Sequence, residues 1–156
     1  MKLSPLNKRR IINFKSNKRG LYSFWIFTFL FVVSIFADFV ANEKPLIIKQ
    51  ENRFFFPVIF EYSETTFGGD FETEADYLDP YVKNLINSKG WMIWPIIPYS
   101  YDTIIKDLKS PAPSSPSKKN WLGTDDQARD VLARLIYGFR ISILFGFTLT
   151  FFSMLI

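Results

Sequence analysis

The sequence predicts a mainly α-helical membrane protein, and three features of its apolar and charged residues indicate this. Residues 21–41 read LYSFWIFTFLFVVSIFADFVA, without a charge before Asp38. About 20 mostly apolar residues in a helix cross a bilayer core of about 30 Å, and a helix keeps its backbone hydrogen bonds within the segment. A basic segment precedes this run, and a second apolar run, ISILFGFTLTFFSMLI, occupies residues 141–156.

Residues 21–41 are therefore predicted to form transmembrane helix 1. A buried core helix is usually shorter and rarely apolar on every face. A cleaved signal peptide needs small residues before its cut, a position that Phe39 occupies here. Both alternatives stay open as minor ones. Asp38 lies within a turn of Asn42 and Glu43, so we expect it at the outer membrane interface and not in an intramembrane functional site.

The charge distribution predicts the orientation of this helix. Residues 1–20 contain seven Lys and Arg residues and no acidic residue, within a chain of net charge +4. Short basic flanks stay in the cytoplasm, so residues 1–20 are predicted to be a cytoplasmic arm. An RNA-binding arm or a lipid-contact patch is the alternative. Three arginines of residues 129–140 fall on the predicted outer side, but charges in a long loop have little effect on orientation.

Composition excludes most enzyme classes. The chain has 156 residues, no Cys and no His, so disulfide frameworks, thiolate metal sites, His-dependent triads and most zinc chemistry are not expected. We therefore expect no enzyme activity, no catalytic or metal-binding residues and no cofactor. The acidic run of residues 70–79 does not match the calcium-loop pattern and is interpreted as a solvated face.

Residues 42–124 are predicted to form a mixed loop on the outer side of the membrane. Two β-branched and aromatic runs, 46–49 and 54–60, flank a polar turn and predict a hairpin with an edge strand at Pro57. A short helix is expected at 81–88, and residues 90–99 read as a strand. Residues 110–117, SPAPSSPS, predict a stiff extended linker.

The segment 120–143 predicts an amphipathic helix over 125–139. Thr124 and Gln127 have capping-box spacing, so Thr124 is the expected N-cap. One face carries Ala128, Val131, Leu132, Leu135 and Ile136, and the other carries Asp126, Arg129, Asp130 and Arg134, with Asp130 and Arg134 spaced to form an ion pair. The helix is expected to lie along the outer surface and to end near Gly138. Residues 141–156 are then the start of transmembrane helix 2, which is expected to be truncated at Ile156.

These residues resemble a known family. The run from Leu122 to Ser142 is similar to the pattern L-G-T-D-x-x-G-R-D-V-x-x-R-x-[IL]-Y-G-x-R-x-S of the C-type permease subunits of oligopeptide and dipeptide ABC transporters. Ala128 stands where that family usually has Gly, and the predicted helix tolerates it. The loop runs ANEKPL, YSE, FGG and ADY-x-DP narrow the resemblance to the microcin C-type (YejE-type) permeases. The signature residues are Gly123, Thr124, Asp125, Arg129, Asp130, Arg134, Gly138 and Arg140.

The resemblance implies the N-terminal part of a type I ABC importer transmembrane domain, in a multi-pass protein of the bacterial inner membrane, with residues 42–124 as a mixed periplasmic loop. Its implied role is peptide import, with a second permease subunit, cytoplasmic ATP-binding subunits, a periplasmic peptide-binding protein and membrane lipid as partners, and no nucleic acid. A truncated chain is expected to be inactive alone. The signature residues are expected to cap and fasten the helix, with direct peptide contact as the alternative role. The alternative function is a stand-alone membrane-anchored periplasmic interaction protein.

Overall fold

In chain order, two long apolar helices precede and follow a folded loop in the computed structural model, which describes residues 4–108 and 110–155. The helices are α1 (Pro5–Ser16), α2 (Lys18–Ile35), α3 (Ala37–Val40), α4 (Pro80–Lys89) and α5 (Val131–Leu155). The strands are β1 (Ile47–Gln50), β2 (Arg53–Phe55) and β3 (Gly90–Ile93), and a short 3-10 helix covers Glu64–Phe67.

The helices α2 and α5 are each long and apolar enough to cross a membrane. In α2 only Ser34 is buried, and in α5 only Ala133 and Tyr137 are buried, among the described residues. A helix that is apolar on all sides and exposed in water is unfavourable, whereas lipid accepts it. The two helices pack together through edge-to-face aromatic pairs, such as Phe31 with Phe147 at 5.5 Å between ring centroids.

The predicted first span differs in detail from the helices observed. The helix α2 ends at Ile35, and the backbone of Phe36 departs from helical geometry before α3 begins. The basic arm, for which no element was predicted, is helical over Pro5–Ser16. Asn17 separates it from α2, because its side chain accepts a hydrogen bond from the Gly20 backbone N–H and so caps the second helix.

The predicted hairpin is confirmed, with β1 and β2 antiparallel and Lys49 opposite Phe54. The strand β3 pairs with the other edge of β1, which gives the sheet order β2-β1-β3. The predicted short helix is also confirmed as α4, which Asp79 caps through the Tyr81 backbone N–H at 2.8 Å. We call residues 46–94 the sheet module, and its core includes Ile48, Phe67, Tyr77, Val82 and Ile86.

A second apolar cluster connects the ends of the two long helices. It contains Ala37 and Ala41 after α2, Ala133 and Tyr137 of α5, and Ile97, Tyr99 and Ile105 of the intervening segment. The backbone also joins these regions, since the Asn42 N–H donates to the Ile97 carbonyl at 3.1 Å. The loop between the long helices is therefore packed onto their ends.

The prediction for the start of the last helix is wrong. The helix α5 begins at Val131 and not at 125, and it runs through Gly138 to Leu155 without a break. Residues 124–130 instead form a turn, in which Thr124 bridges to Asp130. The helix does not end at Gly138 because apolar residues continue on both sides of it, and a single glycine costs only about 1 kcal/mol within a helix.

The run 110–117, for which composition predicts a stiff extended linker, instead makes hydrogen bonds to a neighbouring segment. The Ser114 carbonyl accepts the Thr124 backbone N–H at 3.0 Å, and the Ser117 N–H donates to the Asn120 carbonyl at 2.8 Å. These bonds fold the proline-rich run back onto the turn that precedes α5. The acidic residues of the run 70–79 are exposed, as predicted for a solvated face.

Candidate functional site

Asp125 is the centre of the turn that precedes α5. Its Oδ1 accepts hydrogen bonds from the backbone N–H groups of Gln127 and Arg129, both at 2.9 Å. Its Oδ2 accepts Arg129 Nε at 2.9 Å and also pairs with the guanidinium of Arg134. Burial alone would raise the pKa of Asp125, but the donors of Arg129 and Gln127 lower it to about 2.

Asp130 is the residue that caps α5. Its Oδ1 accepts the Ala133 backbone N–H at 2.8 Å, and its Oδ2 accepts Asn120 Nδ2 at 2.8 Å. The side chain is buried, and both oxygens are satisfied. A carboxylate at this position also interacts favourably with the helix dipole. The predicted pairing of Asp130 with Arg134 is therefore wrong, because Asp130 faces Asn120 and Arg134 turns to Asp125.

The predicted N-cap residue, Thr124, has another partner. Its hydroxyl oxygen accepts the Ser114 backbone N–H at 3.0 Å and lies 3.0 Å from the Ser114 hydroxyl. Gly123 lies against the same residue, and a Cβ on it would come within 2.3 Å of the Ser114 carbonyl oxygen. Its φ of 76° is also in the left-handed region that favours glycine. Position 123 therefore requires glycine for two independent reasons.

Ala128 has a φ of 61°, in the left-handed region. This is the position at which the related pattern has glycine, and the expectation that a helix tolerates alanine there is wrong because Ala128 is not in a helix. Left-handed backbone costs a residue with a Cβ roughly 1–2 kcal/mol. The Asp125 carbonyl accepts the Ala128 N–H at 3.1 Å, and the Ala128 carbonyl accepts the Ile105 N–H at 2.9 Å. These bonds hold the turn in this conformation.

An ion pair joins the first and last helical segments. Arg140 donates from its guanidinium to Asp38 Oδ2 at 2.9 Å. The Tyr137 hydroxyl lies 2.8 Å from both Asp38 Oδ1 and the Ala41 carbonyl oxygen. The Arg140 guanidinium also stacks over the Tyr137 ring, at 4.8 Å from its centroid. Because Asp38 is in α3 and the other two are in α5, this cluster fixes the two segments against each other.

The structure thus divides the eight signature residues into two groups. Six of them form the connected turn before α5 and its first residues: Gly123, Thr124, Asp125, Arg129, Asp130 and Arg134. Gly138 and Arg140 lie further along α5, and Arg140 belongs to the ion pair with Asp38. The pattern 122–142 does not extend to Ser114 or Asp38, although both are partners of signature residues.

The sequence contains a signal for one of these missed partners. Asp38 is the first charge after the start of the first apolar run, and Arg140 is the last charge before the second run. Opposite charges at corresponding ends of two apolar helices suggest a pair, since a lone charge near a membrane is costly. For Ser114 no comparable signal exists, because its contacts to Thr124 are mainly through the backbone.

Comparison with known proteins gives a consistent result. The model of the N-terminal transmembrane domain of oligopeptide transport permease C matches residues 6–80. The chain is 44% identical to a peptidoglycan transport system permease protein YejE of Agrobacterium fabrum, over 98% of this chain and 46% of the relative. It is also 44% identical to the inner membrane ABC transporter permease protein YejE of Escherichia coli, over 96% of this chain and 44% of the relative.

A shorter match concerns a dipeptide transport system permease protein DppC of Alkalihalophilus pseudofirmus, which is 50% identical over 32 residues, or 20% of this chain and 10% of the relative. No solved structure gives a significant match. The chain spans less than half the length of the two YejE relatives.

Proposed function

The chain belongs to the YejE-type permeases of peptide ABC transporters, as an N-terminal portion of such a permease, and from this premise we propose that it serves as part of the membrane subunit that forms a peptide translocation path. The observation that carries the proposal is the 44% identity to an inner membrane ABC transporter permease along 96% of this chain. Two helices that are long and apolar enough to cross a membrane support this role.

The proposed orientation has α1 in the cytoplasm and the sheet module in the periplasm. The helix α1 carries Lys8, Arg9, Arg10 and Lys15 without an acidic residue, and basic flanks stay inside. The arginines on the proposed outer side have carboxylate partners, since Arg129 and Arg134 pair with Asp125, and Arg140 pairs with Asp38. Their charges are thus partly neutralised, which weakens their opposition to this orientation.

For the signature residues we propose a fastening role. Asp130 caps α5, Asp125 closes the turn before it, and Arg140 ties α5 to Asp38. In this proposal they hold the second span at a defined position relative to the first. The chain itself performs no chemical reaction, and the energy comes from separate ATP-binding subunits. A second permease subunit and a periplasmic peptide-binding protein complete the proposed assembly.

A chimera tests the proposal directly. Residues 1–156 of this chain replace the matching segment of the E. coli relative, in a strain that lacks that permease. We expect the chimera to restore ATP-dependent uptake of a labelled peptide that the relative carries. The remainder of the relative without this segment is the control and should give no uptake. A chimera that inserts in the membrane at normal levels but gives no uptake would contradict the proposal and favour a stand-alone anchored protein.

A further inference from the structure

A cleft with a volume of about 1180 Å³ lies between the sheet module and the start of α5. Ligand sites for small molecules typically measure roughly 300–1,000 Å³, so this cleft is large enough for a short peptide. Its walls include three apolar side chains that are more than half exposed, Ile96, Ile104 and Trp121. Exposed apolar side chains inside a concave site provide contact area for a ligand.

A basic group occupies one part of the cleft. Lys119 donates to Asp107 at 3.1 Å, and Lys83 is close enough to help Lys119 lower the pKa of Asp107. Lys106 and Lys118 line the cleft next to them in sequence. Four lysines thus accompany a single aspartate. In the part of the chain that the structure describes, Lys119 alone of the four has an ion-pair partner.

The ammonium group of one of these lysines also lies over an aromatic ring. The Lys83 ammonium is 5.3 Å from the centroid of the Trp94 ring. This contact holds the ammonium over the ring without neutralising it, because the ring carries no net charge. Lys83 thus lines the cleft without an ion-pair partner among the described residues.

An acidic group occupies another part. The Thr103 hydroxyl donates to Glu43 Oε2 at 2.7 Å, and Asp102 is the preceding residue. Glu74 lines the same cleft and pairs with Lys44. Three carboxylates thus accompany one lysine, which gives this group the opposite sign to the basic group.

Each of the remaining carboxylates of the cleft has a backbone partner within the chain. Each accepts a backbone N–H at a turn or a helix start, and these are Asp76, Asp79 and Asp130.

The chain itself limits the distance between the two residues that hold these groups. Thr103, which holds Glu43, and Asp107, which holds Lys119, are four residues apart. At about 3.3–3.6 Å per residue their Cα atoms are at most about 14 Å apart. A peptide of three or four residues in extended conformation has about the same length.

From this juxtaposition we propose that the cleft binds a short zwitterionic peptide, whose terminal carboxylate meets the lysine group and whose terminal ammonium meets the Glu43 group. This inference rests on the proposed transport function and deepens it, since it gives this part of the permease a direct role in holding the cargo outside the membrane. Peptide side chains contact Trp94 and Trp121. No bond forms or breaks, and the peptide is released unchanged.

Calorimetry of the full chain in detergent at low salt tests this. The probes are trialanine, its C-terminal amide and its N-acetyl form. We expect trialanine to bind, and each blocked form to bind about fivefold more weakly, as for the loss of a partly exposed ion pair. Because Lys83 and Lys106 remain in the Lys118→Gln/Lys119→Gln variant, the difference between the free acid and the amide should decrease in it, while the N-acetyl form remains weaker.

The complementary variant is Glu43→Gln, which keeps an oxygen for the Thr103 hydroxyl. Because Glu74 and Asp102 remain, it should reduce the difference between trialanine and its N-acetyl form while still distinguishing the amide. Lys49→Gln, on β1 and outside the cleft lining, is the matched control and should bind as the unaltered chain does. Absence of trialanine binding, equal binding of all three probes, or unchanged discrimination in the folded variants would overturn the proposal.

The two proposals fail separately. Restored uptake by the chimera without trialanine binding to this chain would leave the transport function in place and remove the cleft site. Binding with discrimination of both termini, together with an inactive chimera, would leave the cleft site and remove the transport function.

Discussion

Asp125 shows how one carboxylate organises the turn before α5. It accepts two backbone N–H groups and contacts two guanidinium groups. The local sequence places it beside Thr124 and Asp126, but only Asp125 is a partner of both Arg129 and Arg134. Removing its charge leaves the partly buried Arg129 and the exposed Arg134 without this partner, which is costly chiefly at Arg129.

The stability of the chain should therefore depend on pH in a defined window. The pKa of Asp125 is lowered to about 2, below the value of about 3.9 in an unfolded chain. A carboxylate whose pKa is lowered by folding contributes stability above the unfolded value, and this contribution is lost as the pH falls from about 4 towards 2. We expect a loss on the order of 1–2 kcal/mol from this group, measured by thermal unfolding in detergent.

Asp125→Asn should be less stable than the unaltered chain at pH 7 by about 2 kcal/mol and should lack this group's share of the acid sensitivity. Asp126→Asn is the matched control, since Asp126 is exposed. An Asp125→Asn variant as stable as the control at pH 7 would refute the assignment.

Ala128 offers a second residue-scale prediction. Its φ of 61° is unfavourable for a side chain with a Cβ and favourable for glycine. We expect Ala128→Gly to stabilise the folded chain by about 0.5–1 kcal/mol, since relief of strain exceeds the added entropy of the unfolded chain. The same change at Ala133, which is buried within α5, should destabilise by about 1 kcal/mol or more. Equal effects at both positions in thermal unfolding would contradict the turn.

At the scale of elements, the pair of Asp38 and Arg140 fastens α3 to α5. Asp38→Asn or Arg140→Gln should each lower stability by about 1–3 kcal/mol. The exchanged variant Asp38→Arg/Arg140→Asp should recover part of this loss, because both charges are again paired. Arg53→Gln, an exposed position on β2, is the control. A double variant that loses the sum of the two single effects would show that the residues do not interact.

The elements differ in how far the sequence predicts them. The hairpin and α4 are predictable because their signals are local: β-branched and aromatic runs around a turn, and Asp79 before Pro80. The start of α5 is not, because the capping-box spacing at Thr124 competes with partners distant in sequence. Ser114 holds Thr124, Asn120 holds Asp130, and the helix begins only after them.

The turn before α5, which contains most of the signature residues, is likewise only partly predictable from the sequence. Resemblance to a family identified six of its residues, and Arg140 as a seventh position, without any geometry. It did not reveal that Ala128 adopts a left-handed conformation, because the prediction placed that residue in a helix. It also did not reveal Asp38 as the partner of Arg140, since 102 residues separate them.

At the scale of the whole molecule, two apolar clusters divide the structure. One is the core of the sheet module, and the other joins the ends of α2 and α5 to the segment between them. The cleft lies where the two regions meet, and its lining comes from both. Each long helix exposes most of its apolar surface. Such exposed apolar surface suits helices that lie in a membrane.

The most direct test of the proposed orientation is to determine from which side of the membrane single introduced cysteines can be labelled. The chain has no Cys, so each introduced thiol is unique. Asn52→Cys, in the exposed β1–β2 turn, should react with a membrane-impermeant maleimide in intact spheroplasts. Asn7→Cys, on α1, should react only after the membrane is permeabilised. Labelling of both thiols in intact spheroplasts, or of Asn7→Cys alone, would contradict a cytoplasmic arm and a periplasmic module joined by a membrane-spanning α2.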